Sequence, residues 1–219
     1  RTFIDGVDYS NLTATYRVWQ RRAGHRYSID DVATAWEAAH ERPDARRVAD
    51  LGTGIGSVAL MLAYALPHAS ISAIEAQAIS FALLRRNVER NAVPHRLEIV
   101  HGDLRAHDLG ARLGAEHFDL VTGTPPYFRS GTATLPPDSQ RAHARVELRG
   151  GVEEYVAAIA RILAPDGVAV LCAGARTPER VTAAAALAGL SVRSVRPLVP
   201  RAGKDALFSL FVLVRGAAE

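Results

Sequence analysis

The stretch Val48-Ala49-Asp50-Leu51-Gly52-Thr53-Gly54-Ile55-Gly56 decides the fold. An apolar run closes on an acid, three alternate glycines follow, and an apolar segment continues to Pro67. This reads as a strand over 47–51, a glycine loop over 52–56 and a helix over 57–66. Such a loop lets a ligand approach the backbone and meet the positive end of the helix. The spacing is D-x-G-x-G-x-G, whereas dinucleotide enzymes favour G-x-G-x-x-G.

Working outward, the same alternation repeats. A second strand over 71–74 ends at Glu75, 19 residues after Gly56. A helix over 78–91 follows, then strands over 96–100 and 118–122. Upstream, Ser28 to Asp31 reads S-x-x-D, a capping box that opens a helix with Val32, Ala35, Trp36 and Ala39 as its apolar face and a stop before Pro43. Downstream, a long loop over 123–140 holds four of the 11 prolines. After it come a helix over 152–163, a turn at Pro165-Asp166-Gly167, a strand over 168–172 and a helix over 178–187. Strands over 192–195 and 207–214, joined by a polar turn with Gly203, close the chain as an antiparallel pair. The expected fold is α/β, with a mostly parallel seven-stranded sheet, helices on both faces and an antiparallel C-terminal strand. Residues 1–45 read as a lead-in segment with a capping helix, and 46–219 as the ligand-binding domain.

The 219 residues, 48% hydrophobic and 22% charged, suit one globular domain and exclude fibrous and low-complexity classes. The net charge of +3 is mild, permitting an anionic partner such as RNA without demanding one. The apolar stretches are shorter than the roughly 20 residues that span a bilayer, so no membrane segment is expected. Lone Cys172, in an apolar run, agrees with a reducing interior, and the cytoplasm is the expected compartment. Trp19, Trp36 and Met61 read as core residues. No H-E-x-x-H, C-x-x-C or G-x-S-x-G occurs, and no metal is expected.

Glu75 stands where a carboxylate accepts both hydroxyls of a ribose. After the third strand, His101-Gly102-Asp103-Leu104 supplies a further acid, able to accept from the amino group of an adenine. In order and spacing these motifs resemble the class I S-adenosylmethionine-dependent methyltransferases, a Rossmann-like family. The resemblance implies S-adenosylmethionine as cofactor. It places Asp50 near the methionine part, Gly52, Thr53, Gly54 and Gly56 beneath the cofactor, Glu75 on the ribose, and Asp103 with Leu104 at the adenine. A nicotinamide-cofactor enzyme is the nearest competitor.

Gly123-Thr124-Pro125-Pro126-Tyr127-Phe128 follows the fourth strand, where open α/β sheets place their chemistry. It resembles the Asn-Pro-Pro-Tyr motif of methyltransferases that act on planar nitrogen. The resemblance makes Thr124, Pro125, Pro126 and Tyr127 the catalytic loop: the leading side chain and the Pro125 carbonyl accept the amine hydrogens, and the Tyr127 ring stacks on the substrate. Thr124, which also borders the cofactor, stands where Asn is usual; its shorter hydroxyl accepts one hydrogen bond and can also donate. That departure leaves open another acceptor or a lost activity.

The chain is further similar to bacterial methyltransferases that modify an anticodon-loop adenine of valine tRNA. Gly24-His25-Arg26-Tyr27-Ser28-Ile29-Asp30-Asp31, Tyr127-Phe128 and Ala144-Arg145-Val146-Glu147 carry this similarity. It lays Tyr27 and Ser28 over the cofactor and makes tRNA the expected partner, with Phe128, Arg141 and Arg145 as substrate contacts. Arg141, Arg145 and Arg149 recur every four residues, as one helical face beside the loop would require. A small heteroaromatic metabolite, a protein side-chain amide and a non-catalytic binding module remain the alternatives.

Overall fold

The computed structural model describes residues 6–115, 117–132 and 134–216. The chain begins with a hairpin, β1 (Val7–Asn11) and β2 (Arg17–Arg21), followed by α1 (Ile29–Glu41). The alternating unit is β3 (Arg47–Leu51), α2 (Ser57–Ala65), β4 (Ser70–Glu75), α3 (Ala78–Arg90), β5 (Leu97–His101), α4 (Leu109–Arg112) and β6 (Phe118–Gly123). The remainder is α5 (Ser139–Arg145), α6 (Val152–Ile162), β7 (Leu163–Gly174), α7 (Pro178–Leu187), β8 (Leu190–Leu198) and β9 (Phe208–Arg215).

Seven strands form one sheet in the order β5-β4-β3-β6-β7-β9-β8. The pairs of β3 with β4 and β6, β4 with β5, and β6 with β7 are parallel; β9 runs antiparallel between β7 and β8. The chain winds outward from β3 to β5, then returns past β3 to β6, so the topological switch point falls between β3 and β6. Both faces are buried. Val48, Ile71, Leu120 and Val170 pack under α1, α2 and α3; Ala49, Val121 and Leu171 pack under α4, α6 and α7. That explains why the strands read as continuous apolar runs instead of alternating ones.

The expected sheet and its antiparallel strand are present. Three local readings change. The hairpin β1–β2 carries no periodic apolar signal: its residues are largely polar, and only Val18 and Gln20 are buried. Pro165, Asp166 and Gly167 lie inside β7, where the pairing jumps from Phe118↔Leu163 to Leu120↔Val168, so the turn is an irregularity within a strand. In α1 the expected apolar face is split: Ala35 is buried, but its two large members point outward. Val32 and Trp36 are 38% and 57% exposed, while Asp30, Asp31, Thr34 and Glu37 are buried beside Ala35 and Ala38. Trp36 is therefore a surface residue and Trp19 a half-buried one; Met61 and Cys172 are core residues. Helix α1 packs into the same core cluster as β3 and β7. No helix among the described residues is long and apolar enough to cross a membrane.

Candidate active site

Four strand ends open into one cavity. Gly52, Thr53 and Gly54 follow β3, Glu75 closes β4, Asp103 and Leu104 follow β5, and Thr124 and Pro126 follow β6. His25 and Tyr27 before α1, Asp31 on α1, His143 on α5, Arg149 and Tyr155 also line it.

The glycine loop owes its path to missing side chains. Gly52 has φ +62°, and a Cβ there would collide with the Tyr155 hydroxyl. Gly54 has φ +59° and faces open space, so the loop leaves a cradle of bare backbone for a ligand. Asp50 lies beneath, fully buried, accepting from Thr53 Oγ1 at 2.5 Å and Thr122 Oγ1 at 2.7 Å. Burial lifts its carboxyl to about 6 against the pull of both hydroxyls. Asp50 thus braces the loop from below and does not itself line the cavity, nor does Gly56, whose missing Cβ makes room for Leu84.

Glu75 is oriented by the backbone. Its Oε2 accepts from Gly54 N at 2.9 Å and its Oε1 from Gln77 N at 2.6 Å. Each oxygen retains a lone pair for one hydroxyl of a vicinal diol, the arrangement a ribose needs. Burial raises its carboxyl above the ordinary range. The Arg105 guanidinium, at 2.6 and 2.9 Å, holds Asp103 below that range, so Asp103 is an ionised acceptor at the cavity's far side. Asp31 is different again. It accepts from Ser57 Oγ at 3.1 Å and Ser28 N at 2.9 Å, and no cation among the described residues pairs with it. Burial, reinforced by neighbouring Asp30, lifts it to about 7. A carboxyl in that state favours a cationic ligand group, which would hold it ionised. The cavity therefore fits S-adenosylmethionine on this chain's own chemistry: a diol acceptor at Glu75, an amine acceptor at Asp103 and an acid for a positive centre at Asp31.

On the acceptor side, Thr124 and Pro126 reach the cavity and Pro125 is buried behind them. Tyr127 lies elsewhere. Expected to stack on substrate, it does not line the cavity. Its ring packs on Phe208 with centroids 4.4 Å apart, and its hydroxyl donates to Asp30 Oδ2 at 2.7 Å, beside the Cys172 thiol at 3.5 Å. Burial pushes its phenol well up, so it stays a donor and ties the loop to α1. Ser28, expected over the cofactor, caps α1: its hydroxyl meets Asp30, and its N–H takes the Asp31 carboxylate. Tyr27 lines the cavity, its hydroxyl donating to Asn11 O at 2.6 Å.

The arginine row also changes. Helix α5 ends at Arg145, because Phe128 N donates to Arg145 O and Glu147 N to Phe128 O, drawing the chain out straight beside the catalytic loop. Arg141 and Arg145 stay on α5, exposed and off the cavity wall, as is Phe128. Arg149 instead sits at the cavity, its charge acting on both Glu75 and Asp103. Sequence reasoning missed His25, Asp31, His143, Arg149 and Tyr155 as wall residues. Gly52 and Gly123 were the available signal for Tyr155, since a Cβ on either would strike it.

An open sheet wound this way, with this loop and these acids at its strand ends, defines a class I S-adenosylmethionine-dependent methyltransferase domain. More narrowly, the chain belongs to the methyltransferase small domain family, whose family model matches residues 28–147. It is 35% identical over 118 residues to the tRNA1(Val) (adenine(37)-N6)-methyltransferase of Porphyromonas gingivalis, covering 54% of this chain and 46% of that protein. It is 34% identical to the ribosomal protein uL3 glutamine methyltransferase of Bradyrhizobium diazoefficiens, covering 62% of this chain and 42% of that one. The chain thus matches about half the length of these relatives. A ribosomal protein L11 methylase from Lactobacillus delbrueckii subsp. bulgaricus shares the fold, with a TM-score of 0.64 at 14% identity over 95% of this chain and 99% of that one.

Proposed function

We propose that this chain methylates a planar nitrogen, the exocyclic amine of an adenine in tRNA, with S-adenosylmethionine as donor, in the cytoplasm. One observation carries the reading: Leu51 and Gly123 are register partners on β3 and β6, so the glycine loop and the Thr-Pro-Pro loop leave the sheet side by side into one cavity. Donor and acceptor loops are adjacent by topology.

When bound, S-adenosylmethionine supplies an electrophilic methyl group on its sulfonium. The chain's own contribution is alignment. Glu75, Asp103 and Asp31 hold the donor's diol, amine and positive ends. The Thr124 hydroxyl and the Pro125 carbonyl accept the hydrogens of the incoming amine, turning its lone pair away from the ring plane. Two prolines hold that loop in advance, and the Tyr127 hydroxyl on Asp30 anchors it from behind. The relatives that act on an adenine amine and on a glutamine amide share this need, since both nitrogens are planar. The tRNA reading takes support from the 35% identity to the tRNA1(Val) (adenine(37)-N6)-methyltransferase of Porphyromonas gingivalis and from the motifs at 24–31, 127–128 and 144–147.

The test is to supply methyl-labelled S-adenosylmethionine with unmodified tRNA, ribosomal protein and small metabolites, and follow the label. Label in tRNA as N6-methyladenine is expected. Label in a glutamine side chain moves the acceptor to protein, and label in the metabolite pool to a small heteroaromatic amine. Cofactor binding without transfer makes the chain a binding module.

A further inference from the structure

The β1–β2 hairpin stands apart from the seven-stranded sheet and precedes the residues matched by the family model. Two asparagines lock it onto α3. Asn87 Oδ1 accepts from Trp19 N at 2.7 Å and its Nδ2 donates to Trp19 O at 3.1 Å; Asn91 does the same for Arg17, at 2.9 and 2.7 Å. One helical turn apart, the two amides meet alternate residues of β2 as a neighbouring strand would. Val18 and Gln20, on the inner face, are buried.

The outer face is built differently. Tyr9 and Trp19 face each other across the hairpin and stack at 4.5 Å. Arg17 and Arg90 lie over the Tyr9 ring at 5.8 and 5.7 Å, and Arg86 over Trp19 at 5.5 Å. None of these three forms an ion pair among the described residues, whereas Arg21, Arg22, Arg26, Arg42, Arg105 and Arg180 all hold carboxylates. Of the nearby acids, Asp8 is taken by Arg22 and Arg26, and Glu89 is exposed on α3. An aromatic ring positions a guanidinium without neutralising it and leaves the N–H edge free.

We propose that this aromatic and arginine face docks the phosphate backbone of a single-stranded RNA segment next to the nucleotide entering the cavity; this rests on the tRNA reading above. Arginine forks match phosphate oxygens, and guanidinium and ring planes accept stacked bases. The two elements that carry the face both lead to the cavity. Ser80, in the first turn of helix α3, lines the cavity, and at 1.5 Å per residue Arg86 and Arg90 lie about 9 and 15 Å further along the helix. Strand β2 ends at Arg21, paired with Asp138 at the head of α5, just before the wall residues His25 and Tyr27.

The test compares the parent chain with a variant carrying Arg17→Gln, Arg86→Gln and Arg90→Gln. A control removes equal charge elsewhere through Arg46→Gln, Arg47→Gln and Arg201→Gln. Filter binding of an unmodified tRNA transcript is followed against salt, and S-adenosylmethionine binding by calorimetry. The face variant is expected to bind tRNA about tenfold or more weakly, with the salt slope reduced by about three. The control keeps its tRNA affinity, and all three proteins bind the cofactor alike. A face variant that binds tRNA with the control's affinity and slope overturns the docking face while leaving the tRNA reading intact. A parent that binds no tRNA overturns both.

Discussion

The two halves of the cavity are built on different principles. On the donor side, bare backbone at Gly52 and Gly54 and backbone-oriented Glu75 form a cradle that side-chain repacking hardly touches. On the acceptor side, the loop at 124–128 depends on long-range side-chain contacts: Tyr127 to Asp30 and Phe208, and Phe128 to Arg145 and Glu147. A cradle made by glycine and local hydrogen bonds follows from a short motif. A loop held by residues 97 positions apart does not.

The comparison breaks first at Glu75. Replacing it with Ala would remove the two charge-assisted hydrogen bonds proposed to the ligand's diol, and cofactor affinity in calorimetry should fall about thousandfold. An unchanged affinity would show that the cradle alone holds the donor.

Asp31 gives the next largest effect. With its carboxyl at about 7, cofactor affinity should rise from pH 6 to 8 as the group ionises. Asp31→Asn should flatten that profile and cost about thirtyfold at pH 8, the worth of roughly one charge-assisted bond. The sign for stability is opposite. Asp31 and Asp50 are both raised from 3.8, so the folded chain binds more protons than the unfolded one between about 4 and 7, and their contribution to stability falls as pH rises through that window. Denaturant midpoints of the ligand-free protein should record the decline, and Asp31→Asn should lessen it.

Thr124→Ala sharpens the contrast from the acceptor side. Turnover should drop about tenfold through loss of one hydrogen-bond acceptor, while cofactor affinity stays unchanged. A parallel loss of cofactor binding would erase the division between the halves. The smallest change is Tyr127→Phe, which removes the bond to Asp30 but keeps the ring. Unfolding free energy should fall by about 1 kcal/mol with turnover within a few-fold of the parent. A collapse in turnover at full stability would instead give the hydroxyl a direct part in transfer.

Legibility followed the same division. Gly52, Thr53, Gly54, Glu75, Asp103 and Leu104 were legible as cavity residues because each sits at a strand end whose apolar run and breakers are local signals. Tyr127 could be found as a motif member but not oriented. Helix α1 shows why: Val32, Ala35, Trp36 and Ala39 make a plausible apolar stripe, yet the helix exposes Val32 and Trp36 and buries Asp30, Asp31 and Glu37. Those acids have partners that periodicity cannot see, in Tyr127, Ser57 and Arg196. Arg149 shows it again, since a four-residue repeat drew a helix through it, and a bridge between residues 128 and 146 ended that helix first.

By itself, then, the amino-acid sequence determined the βα alternation, the sheet and the donor cradle, because glycine, proline and apolar runs act on their own few residues. Only the tertiary structure decided which face α1 turns inward, that Tyr127 anchors instead of stacks, and that the hairpin rests on Asn87 and Asn91. Each of those depends on buried polar groups finding partners far along the chain, and a buried polar group goes where its partner is.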